Sequence, residues 1–237
     1  MKRCDRRENE NNREYAYRTL RQNIMTLQMF PGTTISEADI ADRLGISRTP
    51  VHEAIAKLKE ELLIEIFPQS GTRISRIDVH IMKEGYFLRS IVEPKLVEQL
   101  AGNVGQEGMQ LLNENLEKQK ELIEQGVQME EKAFIDDFFK IDDRFHKIIY
   151  DLAGKPHVWT AVRSVCSHCD RIRYMDAMKE RTNLEAIYEE HKILTGYLLL
   201  GIPNQVELRK FYADHLGTYQ KQFFKLIEAN PEYFSGI

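Results

Sequence analysis

Residues 36–74, SEADIADRLGISRTPVHEAIAKLKEELLIEIFPQSGTRI, constrain this chain more than any other stretch. Ser36 is a good N-cap, with Asp39 three residues on, for a short helix through Leu44. Gly45 suits a tight turn, and Ser47 caps a second helix. Pro50 falls in that helix's first turn, where a missing N–H costs little. Val51, Ala54, Ile55 and Leu58 recur at helical spacing along one face. Beyond Leu62-Leu63 the pattern shortens to Ile64 and Ile66, a Pro-Gln-Ser-Gly turn, then Thr72 and Ile74, which read as the two strands of a wing. Two short helices around a turn, followed by a wing, place the second helix in a DNA major groove.

In that arrangement the second helix enters the groove amino end first. Here the end is Ser47-Arg48-Thr49-Pro50, with His52 one turn on. Arg48 can donate two hydrogen bonds to a guanine edge. Ser47 and Thr49 are short hydroxyl donors suited to phosphates beside a positive helix terminus. Gly71 at the wing tip permits close approach of backbone to DNA, and Arg43 and Arg73 are flanking phosphate contacts. A structural helical corner with a solvated arginine is the alternative. The ordered succession of helix, turn, helix and wing argues against it.

Around this segment the chain divides. Residues 1–13 are low in apolar content and expected to be disordered. Tyr15, Leu20, Ile24 and Leu27 mark a helix that stops at Pro31-Gly32. Residues 1–77 carry 13 Lys+Arg against 11 Asp+Glu, and the remainder 20 against 26, so the modest positive balance lies with the DNA-reading segment. No apolar run reaches the roughly 18 residues of a membrane span. The polar N-terminus is not read as a secretory signal. Three cysteines suit a reducing cytoplasm rather than a disulfide framework. Cys166-Ser167-His168-Cys169 has no second pair and no preceding strand, so it reads as helix packing rather than a redox or zinc motif.

After Asp78 everything reads as helix: about 79–101, 107–125, 130–153, 157–178, 183–201 and 204–228, with residues 229–237 as a tail. No strand signal appears in this half. The fold class is therefore mainly α: a winged helix-turn-helix at 14–76 with a small β wing, then an all-α antiparallel bundle at 79–228 able to hold a ligand inside.

Asp142 and His146 are four residues apart on one helix, among Phe138, Phe139, Phe145 and Ile149. A carboxylate and an imidazole beside an apolar face need partners. His191 and His215 sit in later amphipathic helices. One carboxylate and three imidazoles make an N/O set acceptable to Zn²⁺, Mn²⁺ or Ni²⁺, although spacing alone does not bring three distant helices together. Arg89, Arg171 and Arg173 are candidates for binding an anionic effector, because a guanidinium fork matches a carboxylate. The alternative for Arg89 is a salt bridge to Glu93.

The stretch PGTTISEADIADRLGISRTPVHEAIAKL resembles the winged-helix domain of the GntR superfamily of bacterial transcription regulators. It departs in two places: His52 stands where the family usually has an arginine, and Glu61 where it usually has a glycine. Asp142 to His146 (D-x-x-F-H), then Glu190-His191 and His215-Leu216, resemble the all-helical FCD ligand-binding domain of the FadR-like branch. That resemblance implies Asp142, His146, His191 and His215 as metal ligands, and it matches Arg89 to the arginine of an R-x-x-L/V-E helix.

These readings converge on a cytoplasmic, homodimeric transcription regulator, with repression as the expected sign. It would bind a palindromic operator and hold a divalent metal and a small organic acid in its helical domain. The alternatives are a metal-dependent enzyme acting on a small carboxylate, and a DNA-binding protein whose metal is structural and which has no effector.

Overall fold

The computed structural model describes residues 1–126, 128–179, 182–217 and 220–237. The chain forms two compact units. Met1–Lys83, Ser164–Ile172 and Lys225–Ile237 make the first, and Glu84–Arg163 with Arg173–Phe224 the second.

In the first unit, α1 (Asn12–Met25) opens on Asn11, whose side chain and that of Glu14 cap each other's backbone N–H groups. Its apolar face buries Tyr15, Ala16, Leu20 and Ile24. Ser36 caps α2 (Glu37–Leu44) by accepting from Asp39 N at 3.3 Å, and Gly45 ends that helix in the left-handed region at φ 69°. Helix α3 (Arg48–Glu60) turns Val51, Ala54, Ile55 and Leu58 into the core with α1 and α2. Full burial of such side chains contributes roughly 1.5–3 kcal/mol each. Strands β1 (Thr34–Ile35), β2 (Ile64–Phe67) and β3 (Gly71–Ile74) form an antiparallel sheet in the order β1-β3-β2, with Ile64 opposite Ile74 and Phe67 opposite Gly71. The helix-turn-helix and wing are where the sequence pattern puts them.

Glu61, in place of the usual glycine, leaves the turn after α3 to its neighbour. Glu61 keeps a right-handed φ of −84°, and Leu62 takes the left-handed conformation at φ 60°. The Glu61 carboxylate accepts from the Tyr17 hydroxyl and from Arg21 Nε (2.8 Å), tying α1 to the end of α3. Leu62 O accepts from Ser75 Oγ at 2.7 Å.

Three expectations need correction. Residues 1–13 are docked rather than disordered: Lys2 N donates to Asn23 Oδ1 (2.6 Å), Asn23 Nδ2 returns a bond to Lys2 O (2.8 Å), and Arg18 holds Glu10 through two nitrogens. Low apolar content concealed this because the partners are polar and lie on α1. The C-terminal segment is not a loose tail. Strand β4 (Ile77–Asp78) pairs in parallel with β5 (Phe234–Ser235), and Tyr233 stacks on Phe30 with centroids 5.6 Å apart. Two residues of strand are too few for a period-2 signal. Finally, the helix expected over 157–178 is two helices, α7 (Pro156–Val165) and α8 (Ser167–Ala177), meeting at Cys166. The break turns the start of α8 onto the end of α3 and onto β4: Ser167 Oγ donates to Glu61 O (3.1 Å), and His168 Nδ1 accepts from Asp78 N (2.8 Å).

The remaining helices are α4 (Val79–Leu100), α5 (Gln106–Gly126), α6 (Glu131–Leu152), α9 (Thr182–Leu200), α10 (Gln205–Gly217) and α11 (Gln220–Ala229). The expected helix 204–228 corresponds to α10 and α11, whose junction lies outside the described residues. Gly108 of α5 admits Leu152 so closely that a Cβ there would stand 2.7 Å from its Cδ2. Helix α6 buries Phe134, Ile135, Phe138, Phe145, Ile148 and Ile149, together with Asp142 and His146.

Candidate functional site

The residues expected to read DNA lie in the first unit. Ser47 occupies the N-cap of α3 with extended backbone, yet its side chain makes no capping hydrogen bond. Ser47, Arg48 and Thr49 are all exposed. Arg43, in the last turn of α2, is exposed as well. Among the described residues neither Arg43 nor Arg48 has an ion-pair partner. His52 is exposed one turn into α3, and its Nδ1 lies 3.0 Å from Glu37 Oε1 on α2. Gly71 holds φ 96° at the wing tip, and Arg73 lies 5.1 Å from the centre of the Phe67 ring.

The second unit brings Asp142, His146, His191 and His215 together from α6, α9 and α10. All four are buried. The imidazole centroids stand 5.2–5.3 Å apart in every pairing, and one ligand atom from each histidine can be chosen within 4.8 Å of the others. His146 Nε2 and His215 Nε2 are 3.3 Å apart. Two nitrogens bound about 2.1 Å from one ion in adjacent positions stand roughly 3 Å from each other, so this separation suits a shared metal.

The other ring nitrogens face acceptors. His191 Nδ1 is 2.9 Å from Gln119 Oε1, and His215 Nδ1 is 2.6 Å from Glu190 Oε2. His146 Nδ1 is 3.1 Å from Glu93 Oε2, close but off the line of a well-formed hydrogen bond. With Nδ1–H turned outward, Nε2 is the free electron pair, the tautomer a metal ligand needs. His191 Nε2 is wholly buried and makes no hydrogen bond; its nearest carboxylate oxygen, Asp142 Oδ1, is 3.5 Å away. Such an orphaned acceptor is costly unless something occupies the centre.

Electrostatics point the same way. Burial pushes the His191 and His215 imidazoles below the ordinary histidine range, against the pull of Asp142 and Glu190 respectively. Burial alone would raise the Asp142 carboxyl, but the Arg173 charge beside it holds it well below the usual carboxylate range. Neutral imidazoles and an ionised carboxylate are ligand-ready states. Residues present therefore fit a divalent metal.

A cleft lined by Arg89, Phe139, Asp142, His146, Arg173 and His215 opens onto these atoms. Arg173 Nη2 donates to Asp142 Oδ2 at 2.6 Å, and its guanidinium lies 4.7 Å from the centre of the Phe139 ring. Arg89 lines the cleft and also pairs with Glu93 at 2.6 Å. Arg171 corrects the sequence reading. It is fully buried in the first unit, where its guanidinium donates to Ser75 O, Ser75 Oγ and Arg76 O, and it does not line the cleft.

Sequence reasoning missed Glu93 and Gln119 as supports for the histidines. Gln119 had a signal: with Asn115 it falls on the buried stripe of α5 between Leu112 and Leu122, where polar residues need a reason. Cys166 and Cys169 are buried thiols, and Cys169 Sγ donates to Met82 O at 3.0 Å, as packing residues do.

Residues 12–74 match the family of bacterial regulatory proteins described as gntR, and residues 84–204 match the FCD domain. The chain belongs to the GntR family. Among curated relatives of this GntR-family regulator, the HTH-type transcriptional repressor RspR of Escherichia coli (strain K12) is 29% identical over 219 residues, 92% of each chain. An uncharacterized HTH-type transcriptional regulator of Streptomyces ambofaciens is 32% identical over 181 residues, 76% of this chain and 72% of that one. Among solved structures, E. coli McbR/YncC matches with a TM-score of 0.70 at 17% identity, over 92% of this chain and 99% of that one, which speaks for the fold. These names mark a transcription regulator rather than an enzyme. No described helix of the GntR-family chain is long and apolar enough to cross a membrane.

Proposed function

We propose that this GntR-family chain is a cytoplasmic, ligand-responsive repressor that binds a palindromic operator as a homodimer and senses a small organic acid through a divalent metal. His146, His191 and His215 through Nε2, with Asp142 through Oδ1, would hold Zn²⁺, Mn²⁺ or Ni²⁺. When bound, the metal supplies an open position for a carboxylate oxygen. The observation that carries the reading is the orphaned, buried His191 Nε2, set among two other imidazoles whose Nδ1 atoms already face acceptors.

Arg173 and Arg89 give the cleft its anion selectivity. Each lines the cleft and is oriented by a carboxylate, Asp142 for Arg173 and Glu93 for Arg89. Phe139 and His215 form part of the cleft wall. On the reading face, Arg48 discriminates bases while Ser47, Thr49, Arg43, Gly71 and Arg73 meet the backbone. Repression is the sign favoured by likeness to RspR, which is named a repressor.

The test is DNA binding by metal-loaded protein on a duplex selected from a random pool, with small mono- and dicarboxylates added in turn. A carboxylate that weakens binding about tenfold or more, and only in metal-loaded protein, is the expected result. Affinity that responds to no carboxylate, with metal raising stability alone, would favour a structural metal instead.

A further inference from the structure

The family match begins at residue 12, so the first eleven residues lie outside the matched segment. They are fastened to it. The Lys2 backbone makes a reciprocal pair of hydrogen bonds with the buried Asn23 side chain, Met1 packs against the head's core, Cys4 Sγ meets Gln22 Oε1 (3.2 Å), and Arg18 Nη2 reaches Asp5 O (2.7 Å). Fastening by backbone leaves the charges outward. Residues 1–7 carry Lys2, Arg3, Arg6 and Arg7 against a single acid, Asp5, and all four cations are exposed.

Arg3 has a particular position. Its Nη2 donates to Leu44 O at 3.3 Å, the carbonyl that ends α2. Gly45 and Ile46 follow, and then Ser47 and Arg48 open α3. A Cβ on Gly45 would lie 3.9 Å from Arg3 Nη2, so the guanidinium stands against the turn itself. Among the described residues neither Lys2 nor Arg3 has an ion-pair partner, in contrast to Arg18 and Arg21, which do. An uncompensated cation beside the amino end of a recognition helix lies where the phosphate backbone passes when that end enters the groove.

We infer that residues 2–7 form a pre-docked basic arm that extends the DNA interface, with Arg3, seconded by Lys2, neutralising backbone phosphates next to the turn between α2 and α3. The inference rests on α3 being the reading helix. Because the arm is held by hydrogen bonds before DNA arrives, little ordering entropy is lost on binding. Phosphates carry no base identity, so the arm adds affinity and salt dependence without changing which sequence is preferred.

The competing role for Arg3 is a helix cap, a cation that complements the carboxyl end of α2 and never meets DNA. The two roles separate in a salt titration. Full-length wild type, Arg3→Gln, Arg3→Lys, Lys2→Gln/Arg3→Gln and Arg48→Ala are titrated onto a random-sequence duplex and onto a selected operator, between about 50 and 200 mM salt. Each lost phosphate contact lowers the slope of log K against log salt by about 0.9 per bound protomer. The arm predicts that loss for Arg3→Gln, about twice that for the double variant, recovery in Arg3→Lys, and an unchanged ranking of sequences. Thermal melting of each variant shows that the fold is kept.

A wild-type slope in the double variant, while Arg48→Ala loses sequence preference, overturns the arm and leaves the reading helix standing. Equal binding of every sequence by wild type and Arg48→Ala overturns both.

Discussion

Arg171 and Arg173 stand two residues apart on α8 and turn to different groups: Arg171 gives its guanidinium to the carbonyls of Ser75 and Arg76, while Arg173 holds the Asp142 carboxylate at 2.6 Å. Residues at that spacing do not share a helix face. One therefore belongs to the structure of the reading head and the other to the cleft. Burial lowers the Arg171 guanidinium to about 9, the cost of a cation held by neutral acceptors. Arg171→Met is expected to reduce stability by about 2–4 kcal/mol, because Ser75 and Arg76 lose their donors. Urea denaturation measures that loss, and metal content should stay at the wild-type level. Metal loss in Arg171→Met would return this residue to the ion's surroundings.

Restoring the family's glycine at position 61 should weaken this protein rather than strengthen it. Glu61 accepts from Tyr17 and Arg21, and the left-handed turn is carried by Leu62, so a glycine at 61 relieves no strain. Glu61→Gly is expected to cost about 1–2 kcal/mol, moderated by the partial exposure of the pair. A rise in the urea midpoint would contradict this account of the turn.

His168 makes the reading head acid-sensitive. Burial, with the Arg171 charge beside it, lowers its imidazole from 6.5 to about 3, so in the folded protein it is neutral. Its Nδ1 accepts from Asp78 N and its Nε2 faces Leu62 O. A depressed histidine leaves stability unaffected above the unfolded value. As pH falls below about 6.5 the unfolded chain takes the proton first, so stability drops until about pH 3. The slope contributed is at most about 1.4 kcal/mol per pH unit. His168→Gln should flatten the stability curve over that window; an unchanged curve would mean that His168 is protonated in the fold.

The C-terminal strand is part of the head. Phe234 is buried and pairs with Ile77, while Tyr233 stacks on Phe30. Phe234→Ala is expected to cost about 3 kcal/mol or more, as large-to-small changes at buried aromatics do. Hydrogen exchange should show lost protection at Ile77 and Asp78. Retained protection there would contradict the pairing.

Much of this was legible in the sequence. The helix-turn-helix could be read because its caps, turn glycine and apolar spacing are local, and the wing because its strands are separated by a strong turn signal. His146, His191 and His215 were nameable through family resemblance, but their meeting was not derivable: α6, α9 and α10 converge through packing between residues up to 69 apart in sequence. Arg171 was misassigned because the backbone carbonyls it meets, Ser75 and Arg76, are 96 and 95 residues away. The β5 strand and the docked N-terminus escaped notice for a related reason, since each is held by a few polar or short-range backbone contacts that leave no periodic trace.

The measurement closest to the central claim is the metal content of protein purified without chelator or affinity-tag metal, by elemental analysis and native mass spectrometry, for wild type and His191→Ala. The account predicts about one transition-metal ion per wild-type chain and almost none in the variant, with wild type alone losing thermal stability when the ion is stripped. A folded wild type that takes up no transition metal, or a variant that retains it equally, would contradict the sensor pocket.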